Sequence, residues 1–400
     1  MRFRSFAAAA LVLVALLALA GAAQAISAPT LQSKLTREMR YAGTFSGVFV
    51  RDLDTDRTLF ASKPDVARVP ASVQKLYTTA AALLRFGPDA TFSTTVAGRG
   101  FLDPEGVWRG DLYLRGGGDP TLERDDLQTL AATVAGGGIL RVAGSVLGDE
   151  SRFDALRGSF DSGGAYDRDI GGVLSALALQ RGYAKDGQPA AQAARQFAKI
   201  LRGQGIRVDG PSGAGVAPGD VTELGSVQSP AVRDLIRVTN VPSDNFVAEM
   251  LVKDLGAQFG GAGTTAAGVG VVRAQLASLG VHPRIVDGSG LSRADRTTPR
   301  QVVRLLTTMH RQQVAASFED SLPVAGRTGT ISKRMRGTPA QDRCRAKTGT
   351  LIGVSALAGV CHAAGGHTIA FAMLMNRASV RRAHGVQDRI AAAIARYDGP

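Results

Sequence analysis

Glycine is spread unevenly along the 400 residues, and this unevenness is the strongest constraint on the architecture. Residues 92–224 hold 25 of the 49 glycines in one third of the chain. Short runs such as Asp111-Leu-Tyr-Leu-Arg115 alternate there with glycine clusters at 116–118 and 136–138. That texture predicts a compact β-rich unit with tight turns, or two small ones. Both flanks read differently. Residues 31–40 predict a short amphipathic helix, and 47–53 with 58–61 a hairpin. Val73, Leu76, Ala80 and Leu83 share one face of a helix opened by Pro70 and closed by Gly87-Pro88. Downstream, helical signals at 232–238 and 246–255 precede a β-meander over 343–350, 355–361 and 367–375. A last helix over 386–397 carries Val386, Ile390 and Ile394 on one stripe. A β-rich block bracketed in this way predicts an insertion at 92–224 into one larger α/β domain formed by 26–91 and 225–400. More than one domain is also what the length requires, because single cores rarely grow past roughly 250–300 residues.

The N-terminus predicts export. Arg2 and Arg4 precede an apolar stretch from Ala7 to Ala23, and Ala23-Gln24-Ala25 is a small-x-small cleavage site. The stretch is shorter than the roughly 20 residues of a spanning helix, so residues 1–25 read as a signal peptide. Their removal takes the formal charge from +13 to +11. A basic exported protein is expected to meet anionic envelope polymers or membrane surfaces rather than nucleic acid, and the arginines are dispersed without interleaved aromatics. The chain's two cysteines, Cys344 and Cys361, exclude a disulfide scaffold and a Cys-only zinc site. They either clip one hairpin or stay as buried thiols, and both alternatives stand.

Several chemistries are absent from the sequence: H-E-x-x-H, the P-loop pattern and G-x-S-x-G do not occur. Gly261-Ala-Gly-Thr-Thr-Ala follows no strand and reads as a loop. The five histidines lack ligand spacing, and no metal or organic cofactor is implied. Three short patterns carry chemistry instead. In Ser72-Val-Gln-Lys75, residues three apart on a helix stand on one face, so a buried lysine can take the proton of a serine hydroxyl. Ser243-Asp244-Asn245 opens a helix after Pro242 and can project a hydroxyl and an amide together, although a plain helix cap uses the same residues. Lys347-Thr348-Gly349-Thr350 lies in a predicted strand, where Lys and Thr can hold a carboxylate and Gly lets a ligand lie against the backbone.

These motifs in this order resemble the penicillin-recognising serine enzymes. The long separation between the first two, with Asp287-Gly-Ser-Gly-Leu-Ser292, Gly116-Gly-Gly-Asp-Pro-Thr-Leu122 and Arg345-Ala-Lys-Thr-Gly-Thr-Leu351, is similar to the D-alanyl-D-alanine carboxypeptidase/endopeptidase family, the class C low-molecular-mass penicillin-binding proteins of peptidase family S13. The resemblance implies an α/β (α+β) catalytic domain with a five-stranded antiparallel sheet flanked by helices, carrying inserted domains. It implies a periplasmic or wall-associated serine DD-peptidase that cleaves D-Ala-D-Ala termini, D-Ala-meso-diaminopimelate cross-links, or both, and that β-lactams acylate. It makes Ser72 the nucleophile, Lys75 its base, Ser243 and Asn245 proton-relay and positioning groups, and Lys347, Thr348, Gly349 and Thr350 the carboxylate-binding strand, with the Ser72 and Thr350 N–H groups as oxyanion hole. Two features depart from the family: Arg327-Thr-Gly-Thr echoes the third motif, and residues 172–181 lack a polar, Asn-rich ending. Rival expectations are a β-lactamase of the same superfamily, for which no deacylating base is evident, and a catalytically silent envelope-binding protein.

Overall fold

The computed structural model describes residues 25–184 and 187–399. All of the expected export segment except Ala25 therefore lies outside the described residues. In chain order the elements are α1 (Ala28–Met39), β1 (Ser46–Asp52), β2 (Thr58–Ser62), α2 (Lys75–Phe86, entered through a 3-10 turn at Ala71–Gln74), β3 (Ser93–Leu102), β4 (Val107–Arg115), α3 (Arg124–Gly136), β5 (Arg141–Val142) and β6 (Val146–Asp149). There follow α4 (Pro189–Gly203), β7 (Arg207–Val208), β8 (Ser212–Ala214), β9 (Thr222–Gln228), α5 (Val232–Asn240), α6 (Asn245–Phe259), α7 (Thr265–Ser278), α8 (Pro299–His310) and α9 (Ala315–Asp320). The chain ends with β10 (Cys344–Leu351), β11 (Val354–His362), β12 (Thr368–Asn376) and α10 (Val380–Ile394).

Five strands form one antiparallel sheet in the order β10-β11-β12-β1-β2. The first strand of the chain pairs with the last, from Ser46 opposite Met375 to Asp52 opposite Ile369. Both faces are covered by helices, so β11 and β12 are buried almost throughout and read as continuous apolar runs rather than alternating ones. Alternation still divides their side chains. Phe371, Met373 and Met375 pack with Leu31 and Leu35 of α1 and with Val386, Ile390 and Ile394 of α10. Ala370, Ala372 and Leu374 face the opposite core with α2, α5, α6, α7 and α8. Helix α10 starts six residues earlier than its apolar stripe predicts, because its first turn is the exposed Arg381-Arg382.

The second sheet is mixed. Its path is β7-β5-β4-β3-β9, with β6 joined to β4 and β8. Antiparallel β3–β4 and β3–β9 pairs meet parallel β4–β5 and β4–β6 pairs. Two helices pack on it: Leu127, Leu130 and Val134 of α3 and Phe197 and Leu201 of α4 join Val96, Leu112 and Leu114 in one core. Glycine density concealed them. The glycines lie mainly in turns around the helices, while α4 is built on small alanines whose buried face interleaves with polar residues.

Cys344 and Cys361 face each other in the β10–β11 ladder and are joined by a disulfide, which settles the alternatives left by the sequence. Closing a loop of this length constrains the unfolded chain. Replacing both with Ala is expected to lower unfolding free energy by about 3 kcal/mol, read from denaturant midpoints, with the fold retained because the ladder itself stays paired.

Candidate active site

The turn Ala71–Gln74 delivers Ser72 and Lys75 into the junction between the five-stranded sheet and the helices. Ala71 has φ +48°, a conformation that L-residues adopt only when the surroundings hold it, and it is fully buried. Strand β10 runs directly against this turn. A Cβ on Gly349 would lie 2.4 Å from the Pro70 carbonyl oxygen, so only glycine permits the approach. Gly290 does the same from the opposite side: its φ is +80° and a Cβ there would come within 2.1 Å of the Ala71 carbonyl oxygen.

Lys75 is fully buried, and its Nζ lies 3.0 Å from Ser72 Oγ, 2.6 Å from Asn245 Oδ1 and 2.7 Å from the Ser289 carbonyl oxygen. Those three neighbours define what the amine can do. Protonated, it donates to all three. Neutral, its two N–H groups satisfy Asn245 and Ser289, and the lone pair faces the Ser72 hydroxyl. Burial favours the neutral form and brings the Lys75 pKa down to about 8, against the pull of the Asp287, Glu249 and Asp244 carboxylates.

Asp244 caps α6 by accepting from the Val247 N–H at 3.0 Å, so the helix-cap and site readings of Ser243-Asp244-Asn245 are both true of different residues. Ser243, held at φ +66°, accepts from Lys347 Nζ at 2.7 Å. Asn245 points the other way, to Lys75, and donates from Nδ2 to the Asp169 carbonyl at 2.7 Å. Lys347 is fully buried; lost hydration and the nearby Lys75 charge hold its pKa well below the ordinary lysine value. Thr348 Oγ1 pairs with Thr330 Oγ1 at 2.8 Å, and Thr350 is exposed further along β10. Ser72, Lys75 and Asn245 thus form one set of contacts and Ser243, Lys347 and Thr348 a second beside it, with Gly349 packed on the Ser72 turn.

The echo Arg327-Thr-Gly-Thr sits beside β10 rather than in its place. Arg327 pairs with Asp342 on the surface, and only Thr330 reaches the third motif. Spacing did not reveal Arg181, which grips Asp244 through two 2.9 Å bonds and lies over the Phe246 ring at 4.7 Å. Gln180 and Arg181 both have positive φ, so the segment is bent to make this contact. Nor did it reveal Glu249, although Asn245, Glu249 and Lys253 recur every four residues on α6 and so mark one polar stripe.

A cavity of roughly 1090 Å3 opens elsewhere, between β3, β4 and the end of α6, and none of Ser72, Lys75, Ser243, Asn245 and Lys347 lines it. Its Arg115 and Arg152 are engaged by Asp149 and Asp254. Among the described residues, no helix is long and apolar enough to cross a membrane.

Comparison with known proteins agrees with the resemblance drawn from the motifs. The model of the D-Ala-D-Ala carboxypeptidase 3 (S13) family matches residues 28–183 and 169–397. A D-alanyl-D-alanine carboxypeptidase of Actinomadura sp. (strain R39) is 32% identical over 89% of this chain and 82% of its own length. The carboxypeptidase DacB of Mycolicibacterium smegmatis is 31% identical over 82% and 76%. In three dimensions, penicillin binding protein 4 of Haemophilus influenzae superposes with a TM-score of 0.78 at 21% identity, over 89% of this chain and 97% of that one, which matches the expected fold class. With its motifs assembled on this fold, the chain belongs to the D-Ala-D-Ala carboxypeptidase (S13) family.

Proposed function

We propose that Ser72 is the nucleophile of the serine DD-peptidase that family membership makes this chain, with Lys75 as its proton acceptor. The observation that carries this is the buried Lys75 amine, held 2.6 Å from Asn245 Oδ1 and 2.7 Å from the Ser289 carbonyl oxygen, with Ser72 Oγ 3.0 Å away as its third polar neighbour. Attack on the D-Ala-D-Ala carbonyl carbon forms the ester bond to Ser72 Oγ and moves the hydroxyl proton to Lys75. The Ser72 and Thr350 N–H groups receive the developing oxyanion. Expelling D-alanine needs a proton on its nitrogen. The proton that Lys75 took returns to that nitrogen by way of the Ser243 hydroxyl, which Lys347 Nζ orients from 2.7 Å, while Lys347 and Thr348 bind the terminal carboxylate. Water then cleaves the ester. A β-lactam follows the same first step, and its retained ring fragment leaves slowly.

The substrate is the peptide of peptidoglycan, at D-Ala-D-Ala termini or at D-Ala-meso-diaminopimelate cross-links, and the acylating inhibitors are penicillins. We further place residues 1–25 as a cleaved export signal, residues 26–91 and 225–400 as the catalytic domain and 92–224 as the insert. Excess positive charge then favours the anionic envelope where this substrate lies.

Ser72→Ala is expected to abolish labelling by a fluorescent penicillin and release of D-alanine from a D-Ala-D-Ala peptide; persistent labelling would remove Ser72 from its role. The rate constant of acylation by benzylpenicillin is expected to rise with pH through about 8, where Lys75 becomes neutral, and to fall roughly tenfold for each pH unit below. Arg181→Ala is expected to slow acylation about tenfold by freeing Asp244. Arg181→Lys should recover only part, because an ammonium cannot make the two-pronged contact.

A further inference from the structure

Beneath Lys75 lies an acidic cluster that the three motifs do not include. Helix α6 places Glu249 one turn after Asn245, on the same face, and Glu249 is 1% exposed. Its Oε1 accepts from the Gly288 N–H at 3.0 Å and the Ser289 N–H at 2.8 Å. Those bonds orient the 287–292 loop so that its carbonyls point to α2: Ser289 to Lys75 Nζ at 2.7 Å and Gly288 to Thr78 Oγ1 at 2.7 Å. The loop is braced again by Asp287, which accepts from the Gly290 and Ser292 N–H groups at 2.7 Å each. Asp295, also buried, accepts from the Val286 N–H at 2.8 Å.

We propose that Glu249 is a positioning residue for the acylation step: through Ser289 it holds the Lys75 amine against Ser72, and its carboxylate sets how readily that amine carries a proton. The inference rests on the assignment of Ser72 and Lys75 above. Groups facing Lys75 are Asp287 from the loop, Glu249 from α6, Asp244 at its N-cap and the Lys347 amine from β10. Glu249 in turn faces Asp287, Asp295 and Lys253. Burial, then the Asp287 charge, pushes Glu249 up to about 7, and the same two causes push Asp295 up to about 10. A proton on Asp295 is favoured there, because the Asp287 charge repels a further anion beside it.

The test compares the full chain with Glu249→Gln and Glu249→Ala, measuring the second-order rate constant for benzylpenicillin acylation from pH 5.5 to 10 together with the thermal midpoint. Gln keeps an oxygen for the Gly288 and Ser289 N–H groups but removes the charge. Its acid limb is expected to move about one pH unit toward acid, with the plateau within about threefold of wild type. Ala leaves both N–H groups unpaired, and its plateau is expected to fall tenfold or more. An unmoved limb in Glu249→Gln overturns the proposal, as does a wild-type plateau in a folded Glu249→Ala. If Glu249→Ala does not fold, the limb of Glu249→Gln decides alone. Failure of the underlying assignment shows separately, as penicillin labelling that survives Ser72→Ala.

Discussion

A lysine amine removed from water is the interaction on which the site depends. Lys75 is fully buried on α2, a helix whose residues from 75 to 83 are all inside, and an unpaired ammonium there would cost several kcal/mol. It is stable because three segments distant in sequence bring it polar atoms: the Ser72 turn, Asn245 at the start of α6 and Ser289 in the 287–292 loop. The same contacts bring together the parts of the site. In the role proposed for it Lys75 accepts a proton when neutral, and the atoms around it accept from it in either state, with only the partner at Ser72 changing role.

Around that amine the backbone is packed at the limit of approach. The turn carrying Ser72 lies between β10 and the 287–292 loop, and at each contact the place of a side chain is taken by glycine, Gly349 on one side and Gly290 on the other. Ala71 and Ser243, in left-handed conformations, lie in the same region. Strain of this kind, of order 1–3 kcal/mol per residue, persists only where packing on all sides enforces it. The buried sheet and α2 supply that rigidity, so the flexible glycines produce close contact here rather than mobility.

Local pattern made much of this legible. Ser72 and Lys75 share a helical face, and residues 343–375 read as a meander; the structure has β10, β11 and β12 there. Asp244 shows why motif and cap were hard to separate: one triplet does both, with the cap on the middle residue and the site on the outer two. What stayed hidden was set by contacts across long separations. Arg181 meets Asp244 over 63 residues and Glu249 meets Ser289 over 40, and no period or spacing encodes such pairs. Helices α3 and α4 were masked differently, by glycines that belong to the turns at their ends and by alanines too weakly apolar to mark a face.

The contacts of Arg181 and Asp169 change what the glycine-rich block is. A spacer would touch the rest of the molecule only near its ends. Instead the stretch 169–182 bends back, with Asp169 receiving Asn245 Nδ2 and Arg181 holding Asp244. Asp161 accepts from Ser292 Oγ in the loop that also presents Ser289 to Lys75. The second motif is therefore built jointly: the turn into α6 supplies its backbone, and residues from within 92–224 fix two of its three side chains. The departure at 172–181, where an apolar run ends in Gln-Arg, then has a physical reason. Leu174, Ala176 and Ala178 bury that run in the helical core, and the burial fixes the place from which Arg181 reaches back to the site.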